Sequence, residues 1–350
     1  MPVLCRPAVA VPEHVITLEQ TVAMASRLYP DDDRAARAVR LVTSTGVRQR
    51  HLVQPLEVTL RHPGVERRTE IYLREAKARV PDVVGRALGH ARLSADQVDA
   101  IIYVSCTGFT MPSLTAWMIN NLGFRDDTRQ IPIAQLGCAA GAAAINRAHD
   151  FCLAHPRANV LITACEFCSL CYQPADLSVG SLLSNGLFGD AVAAAVVRGD
   201  GHGTGLRLER NAAMLIPDTE NWISYAVKAT GFHFLLDRRV PEAMQHVALA
   251  MKGIAAAHHW DAASLDFYVL HAGGPRLVDE LARHLGIAAA KLARSRATLT
   301  EHGNIASATV LDALRRQFEA DDLRPGARGI LAGMGPGITA EITVGTWTVT

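Results

Sequence analysis

The chain is predicted to be an α/β protein made of two related halves, each a sheet covered by helices. Short β-branched or apolar runs alternate with longer segments of helical spacing along its 350 residues. That length exceeds what one core comfortably organises, so two cores or one large duplicated core is expected. An internal echo favours duplication. Leu93 to Cys106 (LSADQVDAIIYVSC) resembles Trp260 to Gly273 (WDAASLDFYVLHAG): each has a small polar helix end, an Asp and then an apolar strand, and Asp99 and Asp266 lie 167 positions apart. The same offset sets Leu136 to Gly141 (LGCAAG) over Gly303 to Ala308 (GNIASA), both Gly-containing loops opening onto small-residue helices. The boundary is expected at the Gly-rich turn Gly199 to Gly205 or shortly after it, dividing the chain into residues 1–210 and 211–350.

The elements follow in order. Asp31-Asp32-Asp33 reads as a solvated helix start, and Ala100 to Ser105 as a strand. Pro112 to Leu122 places Leu114, Met118, Ile119 and Leu122 at helical spacing, with Pro112 at a plausible first helical position. Ile131 to Gln135 is a short strand, and Gly141 to Leu153, Ala-rich with Ile145 and Phe151, suits a tightly packed helix. Strands are expected again at Ala158 to Ala164, Ala191 to Val197, Phe267 to Leu270 and Ile342 to Val344.

Charge and composition exclude several classes. Lys and Arg number 35 against 34 Asp and Glu, a net charge of +1, which provides no footprint for nucleic acid and no polybasic patch for a membrane. Pro and Arg interrupt the apolar N-terminal stretch where a signal peptide would be continuous, and no run is long enough to span a bilayer, so a soluble, cytoplasmic protein is expected. Seven cysteines then point to reduced thiols rather than a disulfide framework. Three of them fall in Cys165-Glu166-Phe167-Cys168-Ser169-Leu170-Cys171. A metal or cluster would need a fourth ligand and a segment that wraps the ion. The run instead continues straight off the strand at Ala158 to Ala164, so no metal is expected, and a Cys-rich metal-binding protein is the alternative from another class.

Cys138 follows Gly137 between a short strand and the Ala-rich helix, placing its sulfur at a helix N-terminus, where free N–H groups and the dipole favour thiolate. A lone Cys there would equally suit a small buried residue. His271 ends a strand and precedes the turn Ala272-Gly273-Gly274-Pro275, at the carboxyl end where α/β proteins build sites; it is either a partner for a Cys138 thiolate or a core histidine. Asn304, in the loop that the echo pairs with the Cys138 loop, offers an amide to a developing oxyanion or enolate, or simply a turn. Cys, His and Asn in this order also fit a papain-like protease, but the Cys-Gly-Ser/Ala-Cys-Trp/Tyr signature of that class is missing around Cys138.

Five motifs together resemble the type III polyketide synthases, the chalcone-synthase-like enzymes of the thiolase fold: Leu136 to Gly141, Leu187-Phe188-Gly189-Asp190, His271 to Pro275, Gly303 to Ser307, and Gly333-Met334-Gly335-Pro336-Gly337. The similarity is closer to the bacterial tetrahydroxynaphthalene-forming members through VSCTGFTMPSLTAW (Val104 to Trp117), PIAQLGCAAG, ACEFCSLCYQP, SLLSNGLFGDA, NWISYAVKATGFHF and GITAEITVGTW. Phloroglucinol-forming bacterial members share several of these stretches.

The resemblance implies a layered αβαβα fold of two duplicated halves and a homodimer. It implies that Cys138 accepts acyl groups from coenzyme A thioesters, with His271 keeping it as thiolate. His271 and Asn304 would stabilise the enolate formed when malonyl-CoA loses carbon dioxide, with no cofactor beyond the coenzyme A thioesters that are substrates. Phe188 matches one gatekeeper, and Phe234, rather than Phe232, the second. Arg37 and Arg40 match positions that hold CoA phosphates; Cys106, Cys168, Cys171 and Tyr225 match the cavity wall; Met111 matches a residue that enters the partner subunit's cavity. The implied product is 1,3,6,8-tetrahydroxynaphthalene from five malonyl units, oxidising to flaviolin, with phloroglucinol or alkylpyrone and alkylresorcinol formation as alternatives. Met334 replaces a usual Phe, and Thr110 a usual Met, so both bear on product length.

Overall fold

The computed structural model describes residues 1–61 and 63–349. Its strands, in chain order, are β1 Val3–Cys5, β2 Ala8–Ala10, β3 His14–Thr17, β4 Gln49–Leu52, β5 Ala100–Val104, β6 Arg129–Ile133, β7 Asn159–Phe167, β8 Asp190–Arg198, β9 Gly205–Leu215, β10 Ile223–Lys228, β11 Gly231–Leu236, β12 Phe267–Leu270, β13 Arg328–Gly335 and β14 Thr339–Thr348. Hydrogen bonding runs β6-β5-β7-β8-β1-β9-β14-β13-β12, with β2 also on β8, while β3–β4 and β10–β11 form separate antiparallel pairs. The same sequence of orientations appears on both sides of the antiparallel β1–β9 junction. On one side, β5–β7 is parallel and β7–β8 and β8–β1 are antiparallel; on the other, β12–β13 is parallel and β13–β14 and β14–β9 are antiparallel.

The two echoed aspartates do the same work in the two halves of the sheet. The Asp99 carboxylate accepts from Asn159 N–H at 2.9 Å, and Asp99 N–H donates to Asn159 O at 2.9 Å. The Asp266 carboxylate accepts from Arg328 N–H at 2.7 Å, and Asp266 N–H donates to Arg328 O at 2.9 Å. Each therefore pins the first residue of the neighbouring parallel strand and sets its register, which one backbone pair alone would leave free to fray.

Strand alternation produces the layers. Ile102, Val104, Val160 and Ile162 from one half of the sheet, and Val269 and Leu331 from the other half, bury against two central helices, Ala140–Ala154 and Thr309–Ala320. The alternate residues Ile101, Tyr103 and Leu161 face the long helix Val65–Ala91, through Val80, Val83 and Val84. Tyr268, Leu270 and Ile330 face the helices Met244–Ala257 and Pro275–Leu285. The arrangement is αβαβα, and each fully buried aliphatic contributes about 1.5–3 kcal/mol of hydrophobic stabilisation. The central layer depends on small residues. A Cβ on Gly141 would lie 2.1 Å from Ser307 O, so only glycine lets the start of one central helix touch the loop that leads into the other.

Four elements differ from the sequence expectation by more than one residue, among them the strand expected at 342–344, which spans Thr339–Thr348. The 112–122 helix begins at Leu114, because the hydroxyl of Ser113 accepts from Thr115 N–H and serves as the cap; Pro112 stands outside it. The edge strand expected at 131–135 is shifted to Arg129–Ile133 by its register on β5. The 158–164 strand continues to Phe167, paired throughout with β8. Asp32 caps the helix Asp33–Thr43, its carboxylate accepting from Arg34 and Ala35 N–H at 2.8 and 3.2 Å.

Candidate active site

Cys138 occupies a single 3-10 turn, Gly137–Ala139, that runs directly into the central helix Ala140–Ala154. The β13–β14 turn packs tightly beneath it: a Cβ on Gly335 would lie 2.6 Å from both Ala139 N and Leu136 O. His271 immediately follows β12, its N–H donating to Ala332 O at 2.9 Å. Asn304 is held by its backbone, donating to Leu187 O at 3.0 Å and accepting from Gly189 N–H at 3.1 Å. Its side-chain Oδ1 accepts from Ala306 N–H at 3.0 Å. That oxygen is where the three residues meet: Cys138 Sγ donates toward it at 3.9 Å and His271 Nε2 at 3.3 Å. With Oδ1 so engaged, the amide's donor end, Nδ2, makes no hydrogen bond to the described residues.

Burial governs the charges here. It pushes the Cys138 thiol up to about 12, helped by the nearby Glu166 carboxylate and opposed by Asn304 and by the cysteine's own N–H. It pulls the His271 imidazole down to about 4. A single charge on either side chain is thus disfavoured. A proton passed from Sγ to the imidazole would create both charges together, and their attraction in a low-dielectric site would offset the two desolvation costs.

Glu166, which sequence reasoning passed over, organises the surroundings. It is fully buried at the end of β7, and burial raises its carboxyl. Oε2 accepts from Cys106 N–H at 3.1 Å and Thr107 Oγ1 at 2.9 Å, and Oε1 accepts from Ser307 Oγ. One carboxylate therefore ties the Cys106 loop to the loop carrying Asn304. The cysteines of the same motif do not converge. Cys165 packs on the outer face with Tyr103 and Ile101, whereas Cys168 packs on the opposite side with Phe188 and Leu187. Cys106 and Cys168 lie within electrostatic reach of Cys138 and of Tyr225, and burial raises both thiols strongly.

Cys138, His271 and Asn304 open into a cleft of about 1250 Å³ that passes Phe188 and Phe234. Those two rings meet edge-on, 5.4 Å between centroids at 72°. Phe232 lies on a different cavity, beyond Tyr225. The exposed Leu41 and Ser44 border the cleft toward solvent, and the buried Thr45 lines it. Arg37 and Arg40 are exposed on the Asp33–Thr43 helix that leads to this border but do not line the cleft; Arg238 and Arg276, which the sequence did not single out, do. Met334 is buried against the cleft, and Met111 stands 90% exposed on the surface. Among the described residues no helix is long and apolar enough to cross a membrane.

The N-terminal domain of the chalcone and stilbene synthases matches residues 4–201, and the C-terminal domain matches residues 207–346. The chain belongs to the chalcone and stilbene synthase family. As a type III polyketide synthase it is 65% identical over 347 residues to a 1,3,6,8-tetrahydroxynaphthalene synthase of Streptomyces coelicolor, covering 99% of this chain and 92% of that protein. It is 44% identical over 349 residues to a phloroglucinol synthase of Pseudomonas fluorescens, covering 99% and 100%. The crystal structure of the tetrahydroxynaphthalene synthase from S. coelicolor superposes with a TM-score of 0.98 at 64% identity, over 99% of this chain and 100% of that one. The fold is accordingly thiolase-like, as the motifs implied.

Proposed function

We propose that the protein condenses five malonyl-CoA units into 1,3,6,8-tetrahydroxynaphthalene, with Cys138 as nucleophile and His271 and Asn304 as its partners. The observation that carries the reading is the meeting of these three side chains at one amide oxygen, at the inner end of a cleft gated by Phe188 and Phe234. Nearly full-length identity to tetrahydroxynaphthalene synthases supports the product.

The geometry suits decarboxylative condensation. The Cys138 thiolate attacks the starter thioester carbonyl; the tetrahedral oxyanion collapses and expels CoA thiolate, which takes up a proton. An extender malonyl-CoA then loses carbon dioxide, and the electrons of the broken C–C bond move into its thioester carbonyl as an enolate. His271 Nε2 and Asn304 Nδ2 are the donors available to that oxygen, stabilising charge that exists only on the reaction path. The enolate carbon attacks the acyl group on Cys138, releasing the thiolate and leaving a longer chain on CoA. The thiolate then takes that chain back with release of CoA for the next round. The carboxylate of the malonyl starter also leaves as carbon dioxide before the product forms. Decarboxylation generates the nucleophile without a strong base, so these steps call for no metal or organic cofactor. Arg238 and Arg276 on the cleft lining, with Arg37 and Arg40 on the adjoining helix, are the cations suited to CoA phosphates. Cys106, Cys168, Cys171 and Tyr225 would shape the wall behind Cys138, and the exposed Met111 would pack into the partner subunit of a homodimer.

Incubation with malonyl-CoA alone, followed by mass spectrometry, tests the reading. Tetrahydroxynaphthalene or flaviolin is expected. Phloroglucinol or a triketide pyrone as the sole product would overturn the product assignment, and product formed only with an added fatty acyl-CoA would point to an alkylpyrone or alkylresorcinol synthase.

A further inference from the structure

Arg50 is a cation buried to 1% exposure that does not line the catalytic cleft. It stands on β4, which is tied to the Asn304 side of the molecule: Arg48 N–H donates to Thr300 O at 2.8 Å, in the helix Ala293–His302 that leads through Gly303 into Asn304. Its guanidinium reaches the end of the helix Val179–Leu187, just before Phe188. Nη1 donates to Tyr172 Oη at 2.6 Å, to Asn185 O at 2.7 Å and, in a longer shared contact, to Phe188 O at 3.2 Å. Tyr172 Oη donates in turn to Phe188 O at 2.6 Å, and Nη2 donates to Thr21 Oγ1 at 2.7 Å. These acceptors are all neutral. A cation costs more to bury than a neutral donor, and what the guanidinium adds is a planar fork that fixes several acceptors at once.

The stem of the same side chain packs against the two glycines that flank the bridge between Phe188 and Asn304. A Cβ on Gly303 would lie 2.9 Å from Arg50 Cγ and 2.4 Å from Leu187 O, and a Cβ on Gly189 would lie 3.5 Å from Arg50 Cβ and 2.3 Å from His302 O. Gly303 precedes Asn304 and Gly189 follows Phe188, and between them run the bonds from Asn304 N–H to Leu187 O and from Gly189 N–H to Asn304 O. Phe188 and Asn304 both line the cleft. One side chain therefore supports both partners of the bridge, its stem against the glycines and its head on the Phe188 carbonyl.

We infer that Arg50 is a positioning residue for the condensation, setting where Asn304 Nδ2 sits at the inner end of the cleft without touching substrate. The inference rests on the proposed function, in which Asn304 donates to the enolate oxygen. The Asn304 amide is fixed to its own loop by Ala306 N–H, and that loop is fixed to the end of the Val179–Leu187 helix by the bridge. Arg50 and Tyr172 then hold the helix end itself. Removal of the guanidinium releases the Asn185 and Phe188 carbonyls together, and a donor aimed at charge that exists only on the reaction path loses about a hundredfold in rate for a misplacement of about 1 Å.

A double-mutant cycle on malonyl-CoA decarboxylation by the intact enzyme tests this. Arg50→Met should lower kcat roughly ten- to a hundredfold, with the loss in kcat rather than in KM, and Arg50→Lys, which keeps a donor but not the fork, should recover part of it. In an Asn304→Ala background the same Arg50→Met change should alter kcat by less than about threefold, because no amide is left to position. A merely structural Arg50 would cost the same factor in both backgrounds, and that result, or a wild-type kcat in Arg50→Met, would overturn the inference. Tyr172→Phe takes one hydroxyl out of the same relay and is read in the same cycle where Arg50→Met does not fold. Its several-fold loss should vanish in the Asn304→Ala background, and a loss that persists there overturns the inference equally. A wild-type rate in Asn304→Ala alone would remove the role proposed for that amide, and this inference with it.

Discussion

Asn304 and Phe188 are joined through their backbones: Asn304 donates to Leu187 O at 3.0 Å and accepts from Gly189 N–H at 3.1 Å, so the proposed gate residue is bracketed by the bonds that hold the Asn304 amide. The link passes through main-chain atoms only, and the Phe188 side chain is free to change without breaking it. Phe188→Ala should therefore lose about 2–3 kcal/mol of stability, below the usual range for a core phenylalanine because one side of the ring faces the cleft. It should raise KM for malonyl-CoA while the rate of Cys138 alkylation by iodoacetamide stays within about threefold. A collapse of alkylation would mean that the ring, rather than the backbone, positions Asn304.

Glu166 has two separable effects, a charge and a tie. Its charge raises the Cys138 thiol, while its oxygens connect Ser307 to the Cys106 loop. Glu166→Gln keeps the shape and removes the charge, so Cys138 should alkylate several-fold faster at neutral pH. Glu166→Ala also removes the tie to Ser307 and should depress condensation by about tenfold or more, the equivalent of one or two lost charged hydrogen bonds. Equal behaviour of the two variants would contradict this division.

The proposed pairing of Cys138 with His271 predicts a distinctive pH profile. Alone, a thiol pushed up to about 12 yields thiolate that increases tenfold per pH unit across the neutral and alkaline range. His271→Gln should follow that slope under iodoacetamide, whereas the wild-type rate should be flat from about pH 7 to 9 because the ion pair is already formed. Parallel slopes in the two proteins would show that the histidine does not share the proton.

Asp190 sets a pH dependence of stability. It is fully buried, accepting from Val53 N–H, Ser169 N–H and Ser169 Oγ, and burial raises its carboxyl to about 6. The unfolded value is near 4, so between about pH 4 and 6 the native chain binds the extra proton. Stability from this group is fully present below pH 4 and is lost as pH rises through 6, about 3 kcal/mol in all. Relative to Asp190→Asn, the wild-type melting temperature should drop between pH 4.5 and 6.5; a difference that is constant with pH would show that the carboxyl titrates elsewhere.

Much of this architecture is legible in the sequence because it is local. Asp99 and Asp266 announce themselves by an identical setting before an apolar run, and their matching bonds to Asn159 and Arg328 explain why that setting recurs. The Cys138, His271 and Asn304 loops are likewise marked by small residues that close packing demands, Gly141 against Ser307 among them. The helix start at Leu114 was misplaced because Pro112 competes with an adjacent Ser for the same signal, and the hydroxyl decides it. Glu166 was not legible for a different reason. Its partner Ser307 lies 141 residues away. A carboxylate inside CEFCSLC, at the end of a buried strand, was the available signal, and the three sulfurs around it drew attention away.

The central claim is that one thiol, Cys138, carries every enzyme-bound acyl intermediate, although Cys106, Cys168 and Tyr225 lie within electrostatic reach of it. Rapid quenching of the enzyme with malonyl-CoA, proteolysis and peptide mass spectrometry measures this directly. Acyl mass is expected only on the peptide containing Cys138, absent in Cys138→Ala with an unchanged melting temperature. Acylation of Cys106, Cys168 or Cys171 that persists in Cys138→Ala, together with continued chain extension, would contradict it.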